Sequence, residues 1–154
     1  MDSIEHIVNV CDKLGIENYT IREDNSIDVN GNVFIRDNFN ILPISFNIIR
    51  GSFDIGHNGL YSLEGCPHTI VGDFLCNHNQ ISTLEGGPKY VKGIVDCWCN
   101  NLTDLTGGPL EVGRIFTDKL KIVGIEYSGM EIVNYNQWVK LNSRKRRINK
   151  IINE

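Results

Sequence analysis

The stretch FDIGHNGLYSLEGCPHTIVGD, residues 53–73, is followed without a gap by two further versions of itself, at residues 74–94 and 95–115. Each of the three blocks has 21 residues, and residues of the same kind recur at the same offsets. Four positions are apolar in every block: Phe53, Phe74 and Val95; Ile55, Cys76 and Cys97; Leu60, Ile81 and Leu102; and Leu63, Leu84 and Leu105. One position is always asparagine, at Asn58, Asn79 and Asn100, and one is always proline, at Pro67, Pro88 and Pro109. The chain therefore carries a tandem repeat.

One unit begins with the pattern apolar-any-apolar, which is the period-two alternation of a short strand with one buried face. A unit of this length cannot bury its own apolar face, so successive units must stack and pair their strands in parallel. The asparagine after the strand can satisfy backbone groups at a turn and meet the same asparagine one layer away. We therefore predict a β-dominated solenoid with an asparagine ladder, whose return path is extended or 3₁₀ because the unit is too short for a full helix.

The start of the chain does not follow the repeat. Residues 1–32 are predicted to form an N-terminal cap that covers the open apolar end of the stack. Within it, residues 2–14 have the apolar spacing of an amphipathic helix that ends at Gly15. Two alternating stretches, Tyr19–Ile21 and Ile27–Val29, then predict a hairpin.

The solenoid itself is predicted over residues 33–122, in about four to five turns. Its first unit is degenerate: Ile35 and Asn38 stand in the strand and ladder columns, and the spacing from Val33 to Phe53 is 20 residues. One residue has therefore been lost from this unit, near Phe39.

The stack is predicted to end with a last strand at Ile115–Phe116, because Lys121 stands where the next ladder asparagine would be. Residues 123–154 are predicted to form a C-terminal cap with a basic amphipathic helix over residues 134–153. The first part of that helix could dock on the last strand while the second part projects.

The pattern apolar-x-apolar-x-x-Asn-x-Leu-x-x-Leu resembles the leucine-rich repeat. The sequence LEGCP…VGDFLCNHNQISTLEGGP…V, which begins at Leu63, is similar to that of a family of short leucine-rich-repeat proteins encoded mainly by bacteriophages and some bacteria. The opening from Cys11 to Val33 is similar to the amino-terminal part of the same family. The resemblance covers roughly residues 10–116. It implies a leucine-rich-repeat-like right-handed coil whose outer parallel sheet is a concave binding face, and it implies little about activity.

Carried over by position, the concave face is formed by residues that alternate with the buried strand positions. Its members are predicted to be Phe34, Asp54, Leu75, Asp96 and Thr117 in a first column, Arg36, Gly56, Asn77, Trp98 and Lys119 in a second, and Asp37, His57, His78 and Cys99 in a third. Leu75 and Trp98 are apolar where solvent is expected, and an exposed aromatic flanked by carboxylates is typical of an interface hot spot. The alternative is that these side chains only cover the sheet or contact a terminal segment.

The column His57, His78, Cys99 raises two further alternatives. Adjacent parallel strands lie about 4.8 Å apart, so the three side chains could share a metal ion. However, Cys97 falls in the buried column with Cys76, and zinc sites favour Cys-x-x-Cys spacing, so buried thiols and a polar ladder are the favoured interpretation. A Cys99–His78 nucleophile with Asp96 nearby lacks an oxyanion hole. We therefore predict no catalytic residue, no metal and no cofactor.

Charge is distributed unevenly along the chain. Residues 137–154 contain six Lys and Arg against one Glu, whereas residues 1–136 contain nine Lys and Arg against eighteen Asp and Glu. The basic run, Arg144, Lys145, Arg146 and Arg147, could contact nucleic-acid phosphates, an acidic partner or a second copy's acidic face, or it could be a solvated helix face. The acidic solenoid would repel a nucleic acid laid along it.

Composition narrows the function further. No amino-terminal stretch reads as a signal peptide and no apolar run approaches a membrane span, so we expect a cytoplasmic protein without a membrane partner. Five cysteines, an odd number, fit a reducing compartment. We expect a non-enzymatic protein-interaction module. The resemblance extends this to a phage-encoded protein that binds and inhibits or retargets a host protein, such as a defence factor or toxin. A nucleic-acid-binding or nucleoprotein-associated factor is the alternative.

Overall fold

The computed structural model describes residues 3–117 and, beyond them, the backbone of three short strands at 121–122, 125–126 and 131–133. These residues form a β-solenoid of about four turns with a mostly parallel sheet and one helix at the N-terminal end. The predicted helix over residues 134–153 lies outside the described residues.

Helix α1 spans Ile4–Leu14 and closes the first turn of the stack. It begins after Ser3, whose hydroxyl accepts the backbone N–H of His6, and it ends at Gly15, which has the left-handed φ of 65° that suits glycine. Its buried face is made by Ile7 and Cys11. The predicted N-terminal helix is therefore present, and its two buried side chains belong to the core of the solenoid.

A hairpin follows the helix, with strand β1 (Tyr19–Ile21) antiparallel to β2 (Ile27–Val29). Strand β2 also pairs in parallel with the next strand of the stack, β4 (Phe46–Ile49), with a register shift after Ile27. The hairpin is therefore continuous with the solenoid sheet.

Every turn of the solenoid contributes two short strands rather than one. The first row contains β2, β4, β6 (Thr69–Ile70) and the first halves of β8 (Tyr90–Asp96) and β9 (Glu111–Thr117). The second row contains β3 (Val33–Phe34), β5 (Phe53–Asp54), β7 (Phe74–Leu75) and the second halves of β8 and β9. All neighbours within a row are parallel, and the sequence pattern had predicted only the second row.

The two rows meet at a sharp bend, where backbones of successive turns come very close. A Cβ placed on Gly72 would lie 2.7 Å from the carbonyl carbon of Gly51, so the position excludes a side chain. Beside this bend, Ser52 Oγ accepts the backbone N–H of Asp73 at 3.0 Å, and Asp73 Oδ1 accepts that of Ile94 at 2.9 Å. A polar ladder that the repeat pattern had not predicted therefore links the turns at the bend.

The predicted asparagine ladder is present at Asn58, Asn79 and Asn100. In each case the side-chain amide donates to a carbonyl one turn earlier, at Ile35, Ile55 and Cys76 respectively, over 2.7, 2.9 and 3.0 Å. Because each amide also donates to a carbonyl of its own turn, the asparagines join successive turns where the second-row strands end.

The first unit departs from the predicted register. The N–H of Leu60 donates to Asn79 Oδ1, the ladder asparagine of the next turn. The N–H of Phe39 donates in the same way to Asn58 Oδ1, so Phe39 is the first unit's equivalent of Leu60. Since Val33 pairs with Phe53, 20 residues on, the missing residue falls before Phe39. Asn38 then lies at an exposed turn with φ of 55°, and its predicted place in the ladder was wrong.

The interior is filled by the apolar columns of the repeat. The side chains that are 2% exposed or less include Phe53, Phe74, Val95 and Ile115, Ile55, Cys76 and Cys97, and Leu60, Ile81, Leu63, Leu84 and Leu105. Burial of this continuous column is the main source of stability, because no single turn could bury it alone.

The parallel ladder ends at β9. Its free edge pairs antiparallel with β12 (Glu131–Val133), which places Ile132 opposite Phe116. Strands β10 (Lys121–Ile122) and β11 (Ile125–Glu126) form a separate antiparallel pair between them. An antiparallel strand therefore covers the last edge of the second row.

Candidate binding face on the second strand row

The outward side of the second strand row brings the predicted site residues together. In each strand the residue after the buried position faces outward, as the alternation requires. We call this surface the row-two face; it consists of Phe34, Arg36, Asp54, His57, Leu75, Asn77, His78, Asp96, Trp98 and Phe116.

The fifth turn contributes a different residue from the one predicted. Asp96 pairs in register with Phe116, only 20 residues on, and not with Thr117. Thr117 continues the buried column after Cys97 and is 1% exposed. Its predicted place on the outer column was wrong, because the loss of one residue before this strand moves every side chain to the opposite face.

The turn after each strand is held in a left-handed backbone conformation. His57, His78 and Cys99 have φ of 53°, 52° and 57°, a region that residues other than glycine rarely adopt. The conformation reverses the chain so that the next residue, the ladder asparagine, points inward. It also gives His57 and His78 the same backbone geometry in successive turns.

Because of that geometry, the aromatic rings of the face form a continuous file. The rings of His57 and His78 stack with centroids 4.3 Å apart and an interplanar angle of 16°. The rings of His78 and Trp98 meet edge to face at 5.1 Å. His57 is exposed, and the other two are half-buried. The ring positions are therefore fixed by contacts among the rings themselves.

Asp54 differs from the prediction because it is buried, with 6% of its surface exposed. Its Oδ2 accepts a hydrogen bond from Arg36 Nη2 at 2.5 Å, and its Oδ1 accepts the backbone N–H of Gly56 at 3.0 Å. The half-exposed side chain of Arg36 covers the carboxylate. Asp54 is therefore paired within the chain. Arg36, which was predicted in the second column of the face, is the residue of the pair that solvent reaches.

Asp96 occupies the same column two turns later and is half-buried. Its Oδ1 accepts the backbone N–H of Trp98 at 3.1 Å, as Asp54 Oδ1 does for Gly56. Among the described residues, no cation forms a salt bridge with Asp96. The two equivalent carboxylates therefore share a turn geometry and differ in their charge partner.

The remaining predicted residues lie on the face as expected. Phe34 is 59% exposed at its first turn, and Leu75 and Asn77 are half-buried at its third. The side-chain oxygen of Asn77 lies over Gly56, since a Cβ on that glycine would be 2.4 Å from it. Phe116 was missed, although the 20-residue spacing into the fifth turn was a signal that could have found it.

Cysteines and histidines in this region do not assemble into a ligand set. Within the described ranges, no three His, Cys, Asp or Glu side chains lie where they could hold a metal ion. Burial raises the pKa of the Cys76 thiol well above its usual value, with Cys97 and Cys66 nearby adding to the shift. Cys97 Sγ donates to the Phe116 carbonyl at 3.1 Å. The ring of His78 contacts His57 and Trp98, and Cys99 is exposed.

A second group of charges lies at the tip of the N-terminal hairpin. Arg22 is within 3.9 Å of Asp24 and 3.5 Å of Asp28, and Asp28 also accepts from Asn47 Nδ2 at 2.7 Å. Hydrogen bonds from the hydroxyl and backbone N–H of Ser26 lower the pKa of Asp24. These contacts are internal to the cap and give the group a structural role.

The predicted basic tail site, Arg144, Lys145, Arg146 and Arg147, lies outside the described residues. Comparison of the chain with protein-family models, with curated proteins and with solved structures finds no match. Across the described part of the chain, no helix has the length and apolar character needed to cross a bilayer.

Proposed function

We propose that this chain is a non-enzymatic protein-binding module, a leucine-rich-repeat-like right-handed solenoid that presents the row-two face to another protein. The observation that carries the proposal is the file of rings His57, His78 and Trp98 on the outward side of a rigid parallel sheet. Preorganised aromatic side chains on a sheet lose little conformational entropy on binding, which favours their use as interface anchors.

The composition of the face supports a protein partner. Trp98 and Leu75 are half-buried and Phe34 is exposed, so the face combines apolar surface with only a few charges. The charges of Arg36 and Asp37 are already matched by Asp54 and Lys13. An apolar and aromatic surface with few charges is typical of the centre of a protein interface.

The resemblance to short leucine-rich-repeat proteins of bacteriophages extends the proposal. On that basis the chain acts in the cytoplasm of a bacterial host, where it binds a host protein such as a defence factor or toxin and inhibits or retargets it. This extension depends on the sequence similarity of the repeats and not on the chemistry of the row-two face.

The test compares two aromatic substitutions. Trp98→Ala should abolish capture of the partner from host lysate, because it removes the ring at the end of the file. The variant should stay folded with a modest fall in melting temperature, because Trp98 is half-buried on the outward side of the sheet and does not belong to the core. Tyr61→Ala is the matched control, because Tyr61 is 59% exposed and lies outside the row-two face. Unchanged binding by Trp98→Ala would reject this face as the interface.

A second candidate function rests on the charge of the tail. Six Lys and Arg against one Glu in residues 137–154 favour a nucleic acid or nucleoprotein partner. Replacement of Arg144, Lys145, Arg146 and Arg147 by Gln should then remove a steeply salt-dependent affinity for DNA or RNA. A wild-type protein that is not retained on heparin at low salt would exclude this function.

A further inference from the structure

We propose that Asp96, with Trp98 beside it, is the recognition site for an arginine side chain of the bound protein. The inference rests on the proposed function, because it names the chemistry that the partner must bring to the row-two face. It follows from a comparison of two equivalent carboxylates within the same solenoid.

The first carboxylate shows how a guanidinium is bound at this position of the repeat. Asp54 Oδ1 accepts the N–H of Gly56, two residues ahead, which turns Oδ2 toward the preceding turn of the coil. There Arg36 Nη2 donates to Oδ2 at 2.5 Å. A charge-assisted hydrogen bond of this kind is among the stronger polar contacts in proteins.

The second carboxylate has the same construction without the guanidinium. Asp96 Oδ1 accepts the N–H of Trp98, again two residues ahead. Asn77 occupies the position relative to Asp96 that Arg36 occupies relative to Asp54. Its side-chain oxygen, however, lies over Gly56 and not beside Asp96. Oδ2 of Asp96 has no hydrogen-bond donor among the described residues. Within residues 3–117 the repeat therefore presents a half-buried carboxylate on which no cation lies.

The neighbours of Asp96 favour arginine over other cations. Along the column Asp96 pairs in register with Leu75 on one side and Phe116 on the other, so apolar side chains flank the carboxylate. The guanidinium is weakly hydrated and planar, and it packs against aromatic and apolar surface while donating to a carboxylate. Trp98 supplies the aromatic surface two residues from Asp96. A lysine ammonium would lose more hydration at the same place.

A peptide titration tests this site without knowledge of the partner. The probe is acetyl-Leu-Arg-Leu-amide, compared with the same peptide carrying citrulline, which keeps the shape and lacks the charge. We expect the arginine peptide to shift the Trp98 indole N–H signal of the full-length protein, assigned with Trp98→Phe. The citrulline peptide should bind at least about tenfold more weakly, because its hydrogen bond to the carboxylate is no longer assisted by charge. No shift with the arginine peptide, or equal binding of the two peptides, overturns the assignment.

A substitution that supplies the cation within the chain provides the second arm. Asn77→Arg should occupy Asp96 as Arg36 occupies Asp54, and it should abolish peptide binding without lowering the melting temperature. Asn77→Gln, which adds length but no charge, is the matched control and should keep binding. Asp96→Asn should lose it. If Asn77→Arg still binds the arginine peptide while folded, the open position lies elsewhere and the assignment fails.

Once the partner is in hand, the outcomes separate the two proposals. If Trp98→Ala loses the partner while Asp96→Asn and Asn77→Arg keep it, the row-two face is the interface and the arginine site is wrong. If the arginine peptide binds at Asp96 while Trp98→Ala still captures the partner, Asp96 binds arginine but the row-two face is not the interface. The proposed function then fails, and so does the assignment of this arginine to the partner. A dimer of the protein that dissociates in Asp96→Asn places the arginine in a second copy, and overturns its assignment to a different protein.

Discussion

The side-chain amide of Asn79 donates a hydrogen bond to the carbonyl oxygen of Ile55, 2.9 Å away and 24 residues earlier in the chain. The same amide donates to Cys76 O at 3.0 Å, and Asn79 Oδ1 accepts the N–H of Leu60 at 3.0 Å. One side chain, 8% exposed, therefore satisfies three backbone groups of two successive turns. These bonds fix the end of the second-row strand and so the orientation of the ring-bearing turn before it.

Asn79→Ala should lower the free energy of unfolding by at least about 2 kcal/mol, because buried backbone groups lose their partners. Urea unfolding followed by circular dichroism measures the loss. Asn101→Ala is the control: Asn101 is exposed, lies outside the ladder and is not among the residues with positive φ, so its substitution should change stability by about 0.5 kcal/mol or less. Equal losses in the two variants would contradict a structural role for the ladder.

The bend between the strand rows makes a different prediction. Gly72→Ala should destabilise the fold by about 1–3 kcal/mol, because the new Cβ would lie 2.7 Å from backbone atoms of Gly51 and Ser52. Gly15→Ala is the comparison: nothing lies within 4 Å of a Cβ there, and the cost is the left-handed φ alone, about 1 kcal/mol. Thermal unfolding of both variants would show the ranking. A Gly72→Ala protein as stable as the wild type would mean that the turns can move apart at no cost.

The stack, its parallel pairing and the asparagine ladder could be predicted because they follow from a 21-residue period that repeats without interruption. The first strand row could not. Strand β6, Thr69–Ile70, has a single buried position, Ile70, whereas the second row has two in alternation, such as Phe53 and Ile55. One apolar residue does not define a period-two pattern. The position of β6 is set by the backbone contact at Gly72, which becomes visible only when the turns are stacked.

The outward positions of Leu75 and Trp98 could also be predicted, because alternation decides which face a strand residue takes. The partners of the two aspartates could not. Asp54 binds a long side chain from the previous turn, Arg36, and nothing in the repeat spacing encodes the direction of that side chain. The change from Thr117 to Phe116 had a local cause, since a single lost residue reverses the faces of a strand.

At a left-handed turn, unlike at the two sites above, a substitution is expected not to lower the stability of the fold. Cys99→Gly should leave stability unchanged or raise it by about 1 kcal/mol, because Cys99 has φ of 57° and glycine adopts this conformation without strain. Gln80→Gly is the control, an exposed position outside the positive-φ region, where glycine should cost about 0.5–1 kcal/mol. Chemical unfolding of the two proteins provides the comparison. If both lose stability to the same extent, the turn at Cys99 is not strained.

Buried thiols predict how stability depends on pH. Desolvation raises the pKa of the buried Cys76 thiol and of the half-buried Cys66 thiol, so the folded chain keeps thiol protons that the unfolded chain loses once the pH exceeds the ordinary thiol pKa of about 8.5. Their contribution is therefore fully present below that pH and is lost as the pH rises. The limiting slope is about 1.4 kcal/mol per pH unit for each thiol. Urea unfolding at a series of pH values between neutral and strongly alkaline measures it.

Cys76→Ala separates this effect from the titration of other groups. The substitution removes one buried thiol, so the alkaline loss of stability should become shallower by up to about 1.4 kcal/mol per pH unit. Leu105→Ala is the matched control, because Leu105 is equally buried in the core but does not titrate. It should lower stability by about 2–5 kcal/mol at every pH and leave the slope unchanged. Cys76 is completely buried in the folded protein, which should keep its thiol protonated. If Cys76→Ala and the wild type lose stability in parallel as the pH rises, the thiol ionises as readily in the folded protein as in the unfolded chain, and the prediction is wrong.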